Sequence, residues 1–154
     1  MTVFTSKIAA AFSVMGVLIF FLTTVPVYPD TPNPVQELEA KLESATELEK
    51  ITLIHNFSSK YAEDYPEQTV RFSKDSLVIA QRLKRTHDVV MAAFDIGGGY
   101  LNLSNYDKAL EYYMMALSVA EQPPRSDKRV AKLHHNIGLV YWHMKNYEKS
   151  LEYN

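Results

Sequence analysis

Five histidines, at 55, 87, 134, 135 and 143, are the side chains in this sequence best suited to metal binding or proton transfer. Their spacing argues against a shared ion. His134 and His135 are adjacent, so on a helix they point in different directions. His135 and His143 stand eight residues apart, roughly 12 Å along a helix axis. No His-Glu-x-x-His pattern occurs, and the histidines read as surface or groove residues. Serine hydrolysis would need a G-x-S-x-G elbow between a strand and a helix, and glycoside hydrolysis a facing pair of carboxylates. Neither can be argued here, so no catalytic residue, metal site or cofactor is assigned and the chain reads as a non-enzyme. The absence of cysteine excludes disulfides, thiolate zinc sites and cysteine nucleophiles.

A second chemical candidate is the run Ile96-Gly97-Gly98-Gly99-Tyr100. A phosphate-cradling loop would follow a strand as G-x-G-x-x-G, or end in Gly-Lys-Ser/Thr. Here no strand pattern precedes and no Lys-Ser or Lys-Thr follows. The glycines therefore belong to a helix, where each costs about 1 kcal/mol relative to alanine.

The elements that carry these residues follow from composition and pattern. With 154 residues, 47% hydrophobic and 22% charged, the chain suits an ordinary globular domain. A formal charge of −2 without basic runs gives no electrostatic footprint for nucleic acid. Lys7 precedes the uncharged apolar run Ile8 to Leu22, and the uncharged stretch continues to Pro29. Residues 1–29 read as either a cleaved signal peptide or an uncleaved transmembrane anchor, with the remainder exported to the extracytoplasmic side. Prolines at 26, 29, 32 and 34 make a stiff spacer, so 30–45 comprise spacer and short helix.

From residue 46 the pattern is helical throughout, with no useful strand alternation. Asn33-Pro34 opens the short helix and Thr46 with Glu49 forms a capping box. That helix is expected to run through Asp64. Pro66 starts another, Thr86 caps the next to about Leu103, and Ser104-Asn105 turns into a helix ended by Pro123-Pro124. Ser126 or Asp127 caps a further helix to about Met144, and a last one starts near Tyr147.

These helices pair, and the pairs repeat. NYDKALEY at 105–112 matches NYEKSLEY at 146–153, and Gly97 with Tyr100 recurs as Gly138 with Tyr141, each at an offset of 41. The motif resembles the tetratricopeptide repeat, a two-helix unit with W-x-x-L-G-x-x-Y on one helix and A-x-x-x-F on the next. Ala93, Ile96, Gly97, Tyr100, Ala109, Tyr113 and Ala116 carry it in the second unit. His134, Ile137, Gly138 and Tyr141 carry it in the third, with Ser150 and Asn154 in place of alanine and aromatic. The first unit is degenerate, with Ile54, Phe57, Ser58 and Tyr61, then Thr69 and Ser73. The period of about 40 exceeds the usual 34, through longer helices or an extended joint, and tryptophan is missing from its usual place. The resemblance covers about 70% of the chain, residues 46–154, in units of about 46–85, 86–125 and 126–154.

The resemblance implies an all-α solenoid of stacked antiparallel helix pairs whose first helices line a concave groove for a protein or peptide partner. The lining it implies is Met91, Phe94, Asp95, Gly98, Leu101 and Asn102 in the second unit. The third adds Lys132, His135, Asn136, Leu139, Trp142 and His143. Gly97, Tyr100, Ala109, Tyr113, Ala116, Gly138 and Tyr141 are packing positions. Lys132 and Asn136 resemble in type a pair that holds a peptide carboxylate in some members. Gly98 and Gly99 together are expected to thin the wall so that a ligand or a neighbouring helix can approach the backbone. The apolar face left uncovered on the third unit suggests a fragment of a longer protein and self-association as a further partnership. The alternative reading is the N-terminal sensory region of a bacterial signalling protein, such as a sensor histidine kinase, with an enzymatic or regulatory output beyond residue 154. A structural assembly factor of the envelope is a third.

Overall fold

The computed structural model describes residues 33–123 and 125–153. The apolar N-terminal segment and most of the proline-rich spacer lie outside the described residues, as do Pro124 and Asn154. Among the described residues there are seven helices and no strand: α1 (Pro34–Ser44), α2 (Glu47–Tyr61), α3 (Pro66–Arg82), α4 (Thr86–Asn102), α5 (Tyr106–Ala120), α6 (Asp127–His143) and α7 (Tyr147–Glu152). None of these is long and apolar enough to cross a membrane.

The helix starts follow local chemistry. Asn33 accepts the Val35 amide at 2.9 Å, and Pro34 occupies the first turn of α1. Thr46 and Glu49 close a reciprocal capping box on α2. That helix stops at Tyr61 rather than running on to Asp64. Pro66 forces Tyr65 out of the helical region (φ −131°, ψ 57°), so residues 62–64 make the turn. Thr86 proves to be the first residue of α4 and not its cap. Arg85 precedes the helix, no side chain caps it, and the Arg85 guanidinium instead pairs with Asp88 one turn on. Ser126 sits at the start of α6, also without a side-chain cap bond.

The repeated Asn-Tyr sequences mark one recurring turn. Ser104 and Lys145 both take left-handed backbone (φ 57° and 60°). The next residue's amide then reaches five back, Asn105 to Tyr100 and Asn146 to Tyr141, each 2.9 Å. The same asparagines cap the following helices by accepting the Lys108 and Lys149 amides. Two helices are thus joined antiparallel by a three-residue link, which is the two-helix unit.

Sequential helices pack against one another from α2 to α7 around one continuous core, with Ile96, Ala93, Ala109, Tyr113, Leu133 and Ile137 essentially inaccessible. A second cluster of Leu38, Ile54, Phe57 and Phe72 packs α1 onto the first pair. The short helix is therefore part of the folded body and not an appendage of the spacer. Phe57 and Phe72 meet edge to face at 5.6 Å. The long period has two sources. After the first pair, α3 extends over 17 residues with a three-residue joint, whereas α5 has 15 residues and a six-residue joint, 121–126.

Glycine placement refines the sequence expectation. A Cβ on Gly97 would stand 2.7 Å from the Tyr113 ring, so only glycine lets α5 approach here. A Cβ on Gly99 would meet Val70 Cγ2 at 2.7 Å and the Pro66 carbonyl at 3.1 Å. Gly99 therefore serves the approach of a neighbouring helix, α3, and not that of a ligand. Gly98 has no such close neighbour: its would-be Cβ meets the Tyr113 hydroxyl at 3.6 Å, an ordinary contact. In the first pair, Ser58 and Ser73 take the Gly97 and Tyr113 places and join through a buried Oγ–Oγ contact of 3.0 Å.

Candidate functional site

The helical period of 3.6 puts residues i, i+4 and i+7 on one stripe, and each first helix presents such a stripe to the same side. On α2 it is His55 and Ser59, continued by Ala62 in the turn; on α4, Phe94, Gly98 and Leu101; on α6, Lys132, Asn136 and Leu139. These stripes, with Asp95, Asn102 and the turn residues Glu63 and Asp64, line one groove of about 590 Å³. Tyr113 reaches its floor from α5, past Gly98.

Eight of the twelve residues implied by the resemblance stand together there: Phe94, Asp95, Gly98, Leu101, Asn102, Lys132, Asn136 and Leu139. The other four do not. His135 and Trp142 line a separate concavity with Leu139 and Ser150 on the far side of α6. The reason is register: at the repeat offset of 41 they occupy the positions of Phe94 and Leu101, which on α4 face the following unit. His143 stacks on Tyr106 at 5.8 Å, and Met91, half-buried, lies outside the groove lining. Sequence reasoning omitted the whole α2 wall, because the implied lining was carried over only to the second and third units although Ile54, Phe57, Ser58 and Tyr61 set the register of the first. The signal was present in His55, which stands 39 residues before Phe94, the offset that also links Tyr61 to Tyr100.

The most connected group in the groove joins α2 to α4. His55 Nδ1 donates to Asp95 Oδ2 at 2.7 Å, with the Asp95 side chain 7% exposed and that of His55 34%. Burial pushes the Asp95 carboxyl above its ordinary value, against the pull of His55. The bond to Asp95 in turn raises the His55 imidazole. Burial, and then the Asp95 charge, push the Tyr113 phenol far up, leaving a neutral hydroxyl donor on the floor.

The remaining polar groups are partly engaged. Asn102 Nδ2 donates to the Ala62 carbonyl at 2.8 Å and ties the end of α4 to the turn after α2. Asn136 Nδ2 donates to the Lys132 carbonyl at 2.8 Å within α6. Each amide keeps its oxygen and a second N–H available. The Lys132 ammonium lies 4.2 Å from the centre of the Phe94 ring.

On the opposite side of α4, the Tyr100 hydroxyl accepts from Lys74 Nζ at 2.9 Å and its ring stacks on Tyr112 at 5.7 Å. Tyr141 packs on Tyr153 in the third unit at 5.7 Å. These tyrosines hold pairs together and have no part in the groove. Among the described residues, no three His, Asp or Glu side chains group so as to hold a metal ion.

Comparison with known proteins places this geometry. Residues 93–123 and 131–153 match the tetratricopeptide repeat family. Both matches begin inside a helix, seven residues into α4 and four into α6, so the first helices extend beyond the matched unit at their N-terminal ends. No curated protein matches the sequence. Among solved structures, the tetratricopeptide domain of Arabidopsis FLU is similar, with a TM-score of 0.64 at 18% identity over 70% of this chain and 91% of that one. That likeness concerns the fold. The described residues form an all-helical repeat structure, and the chain carries tetratricopeptide repeats.

Proposed function

We propose that the groove between α2, α4 and α6 is a protein-interaction site that takes a peptide segment of a partner. The observation that carries this reading is the stripe of spaced apolar and polar side chains shared by three successive first helices: Phe94, Leu101 and Leu139 supply apolar contact. Lys132, Asn136 and Asn102 supply polar groups that are neither buried away nor fully engaged. Such a mixture of apolar lining and a few convergent polar groups is what recognition grooves use. Gly98 fits the same reading, since the missing side chain opens the floor to the Tyr113 hydroxyl.

The test is selection of peptides from a displayed library on the full chain, followed by affinity measurement with variants. Leu101→Asp and Asn136→Ala should weaken the selected peptides by about tenfold or more, as loss of an interface anchor does. Trp142→Ala, outside the groove, should leave them unchanged. Equal affinity for all three variants, or loss confined to Trp142→Ala, removes the assignment.

The sequence supports an extracytoplasmic setting for this module, through Lys7 followed by the uncharged apolar run. A phosphatase that is active only outside the cytoplasm, fused after residue 154, should be active, and should lose activity when residues 1–29 are deleted. Activity unchanged by the deletion refutes export by this segment.

A further inference from the structure

The exposed apolar side chains at the α6–α7 end have counterparts, one repeat earlier, that are covered. Leu101, Tyr106 and Leu110 are half-buried against the core. In the same places of the third unit, Trp142, Tyr147 and Leu151 are 56%, 57% and 80% exposed. The difference is α6. It packs along α5 with Val130, Leu133, Ile137 and Val140 buried, sets the Lys132 ammonium on the Phe94 ring and stacks His143 on Tyr106. Past α6 and α7, no described residue repeats that cover. What remains there is a concavity of about 330 Å³ lined by His135, Leu139, Trp142 and Ser150. Their counterparts are Phe94, Gly98, Leu101 and the fully buried Ala109. Large apolar and aromatic side chains grouped at a surface in this way mark an interaction site.

We infer that the α6–α7 face is a docking surface for an amphipathic helix of a partner protein, seated there as α6 is seated on the second unit. The occupant's chemistry is read from α6 itself. It needs apolar side chains at the spacing of Val130, Leu133, Ile137 and Val140, and a flat ring at the place of His143 to stack on Tyr147. Steps of three and four residues keep those side chains on one helical face. The repeat also sets the direction: the docked helix runs parallel to α6, with its C-terminal end at Tyr147. The surface thereby continues an interface that the chain already makes within itself, between α5 and α6. A second copy does not supply this helix. The apolar stripes of α1 to α6 lie in the two cores, so a copy could offer one only by unfolding.

Trp142, the chain's single tryptophan, sits on this face, so its emission reports docking directly. The full 154-residue chain is titrated with a peptide of the α6 sequence, residues 127–143, carrying Trp142→Ala so that only the protein's tryptophan emits. A staple on the peptide's polar face holds it helical, because so short a helix is marginal in water. The Trp142 emission should move to shorter wavelength and saturate. A peptide with Leu133→Asp and Ile137→Asp should bind about tenfold more weakly or worse. Leu151→Asp in the protein, at a position exposed enough to leave the fold intact, should weaken docking to a similar degree. Asn136→Ala, in the groove, should leave it unchanged, which separates this surface from the groove. Binding that ignores Leu151→Asp means that the peptide has displaced α6 and not docked beyond it, and overturns the inference. So does equal binding of the intact and stripe-broken peptides, or an emission that the peptide does not move. A shift that follows protein concentration alone shows that a second copy covers the face, and overturns it as well.

Discussion

The three consecutive glycines show how much one hydrogen in place of a methyl group decides. Their sequence explains why a helix, and not a phosphate loop, contains them, but it does not separate their roles. Gly97 was legible because it recurs as Gly138 in the repeat. Gly99 was not, because its reason lies in the first turn of α3, more than 25 residues away in sequence, where the Pro66 carbonyl and Val70 come close. Gly97→Ala should therefore destabilise the fold by about 1–3 kcal/mol, the cost of overpacking against a ring that has no room to move. Gly99→Ala should fall in the same range, being closed partly by backbone. Gly98→Ala should be neutral or stabilising by up to about 1 kcal/mol, since its Cβ meets only ordinary contact and the helix gains propensity. Urea unfolding of the three variants checks the order. A Gly98→Ala variant as damaged as Gly97→Ala would show that the floor over Tyr113 is not open.

At the scale of elements, helix existence was readable almost throughout. Capping boxes, Asn caps and prolines act within a few residues, so Asn33, Thr46, Pro66 and Asn105 mark true boundaries. The errors fell where another local arrangement won, as at Arg85, which pairs with Asp88 three residues on while Thr86 enters the helix. That α2 bonds to α4 through His55 and Asp95 was not read from the sequence: Ile54, Phe57, Ser58 and Tyr61 give the first unit its register, 39 residues before Ala93, Ile96, Gly97 and Tyr100, but the lining was not carried over to that unit. The bond between those helices, His55 to Asp95, gives a pH dependence. His55 is raised above its ordinary 6.5, chiefly by Asp95, so the folded state holds that proton more tightly than the unfolded chain. Its contribution is full below about pH 6.5 and is lost as pH rises through the raised folded value. Asp95, also raised, acts in the same direction from lower pH. The thermal midpoint of the wild-type protein should thus fall between pH 6 and 8. His55→Gln should start lower at pH 6 and show a shallower decline. Parallel curves for the two proteins would mean that the pair is not protonated as its geometry implies.

For the whole molecule, the stack of pairs followed from the 41-residue repeat, and the position of the groove followed from which helix of each pair comes first. The groove's extent did not. It draws on three units at once, including a first unit whose lining sequence reasoning left out. It also excludes His135 and Trp142, whose register points them towards the open end of the stack. There Trp142, Tyr147 and Leu151 are more than half exposed. A solenoid built this way owes its recognition surface to side chains that no single repeat contains. The most direct measurement is therefore a nuclear magnetic resonance titration of the full chain with a library-selected peptide. The account predicts that amide shifts concentrate at 55–64, 94–102 and 132–139, on three helices together. Shifts confined to the α6–α7 end around Trp142, or to the outer faces of α3 and α5, would contradict it.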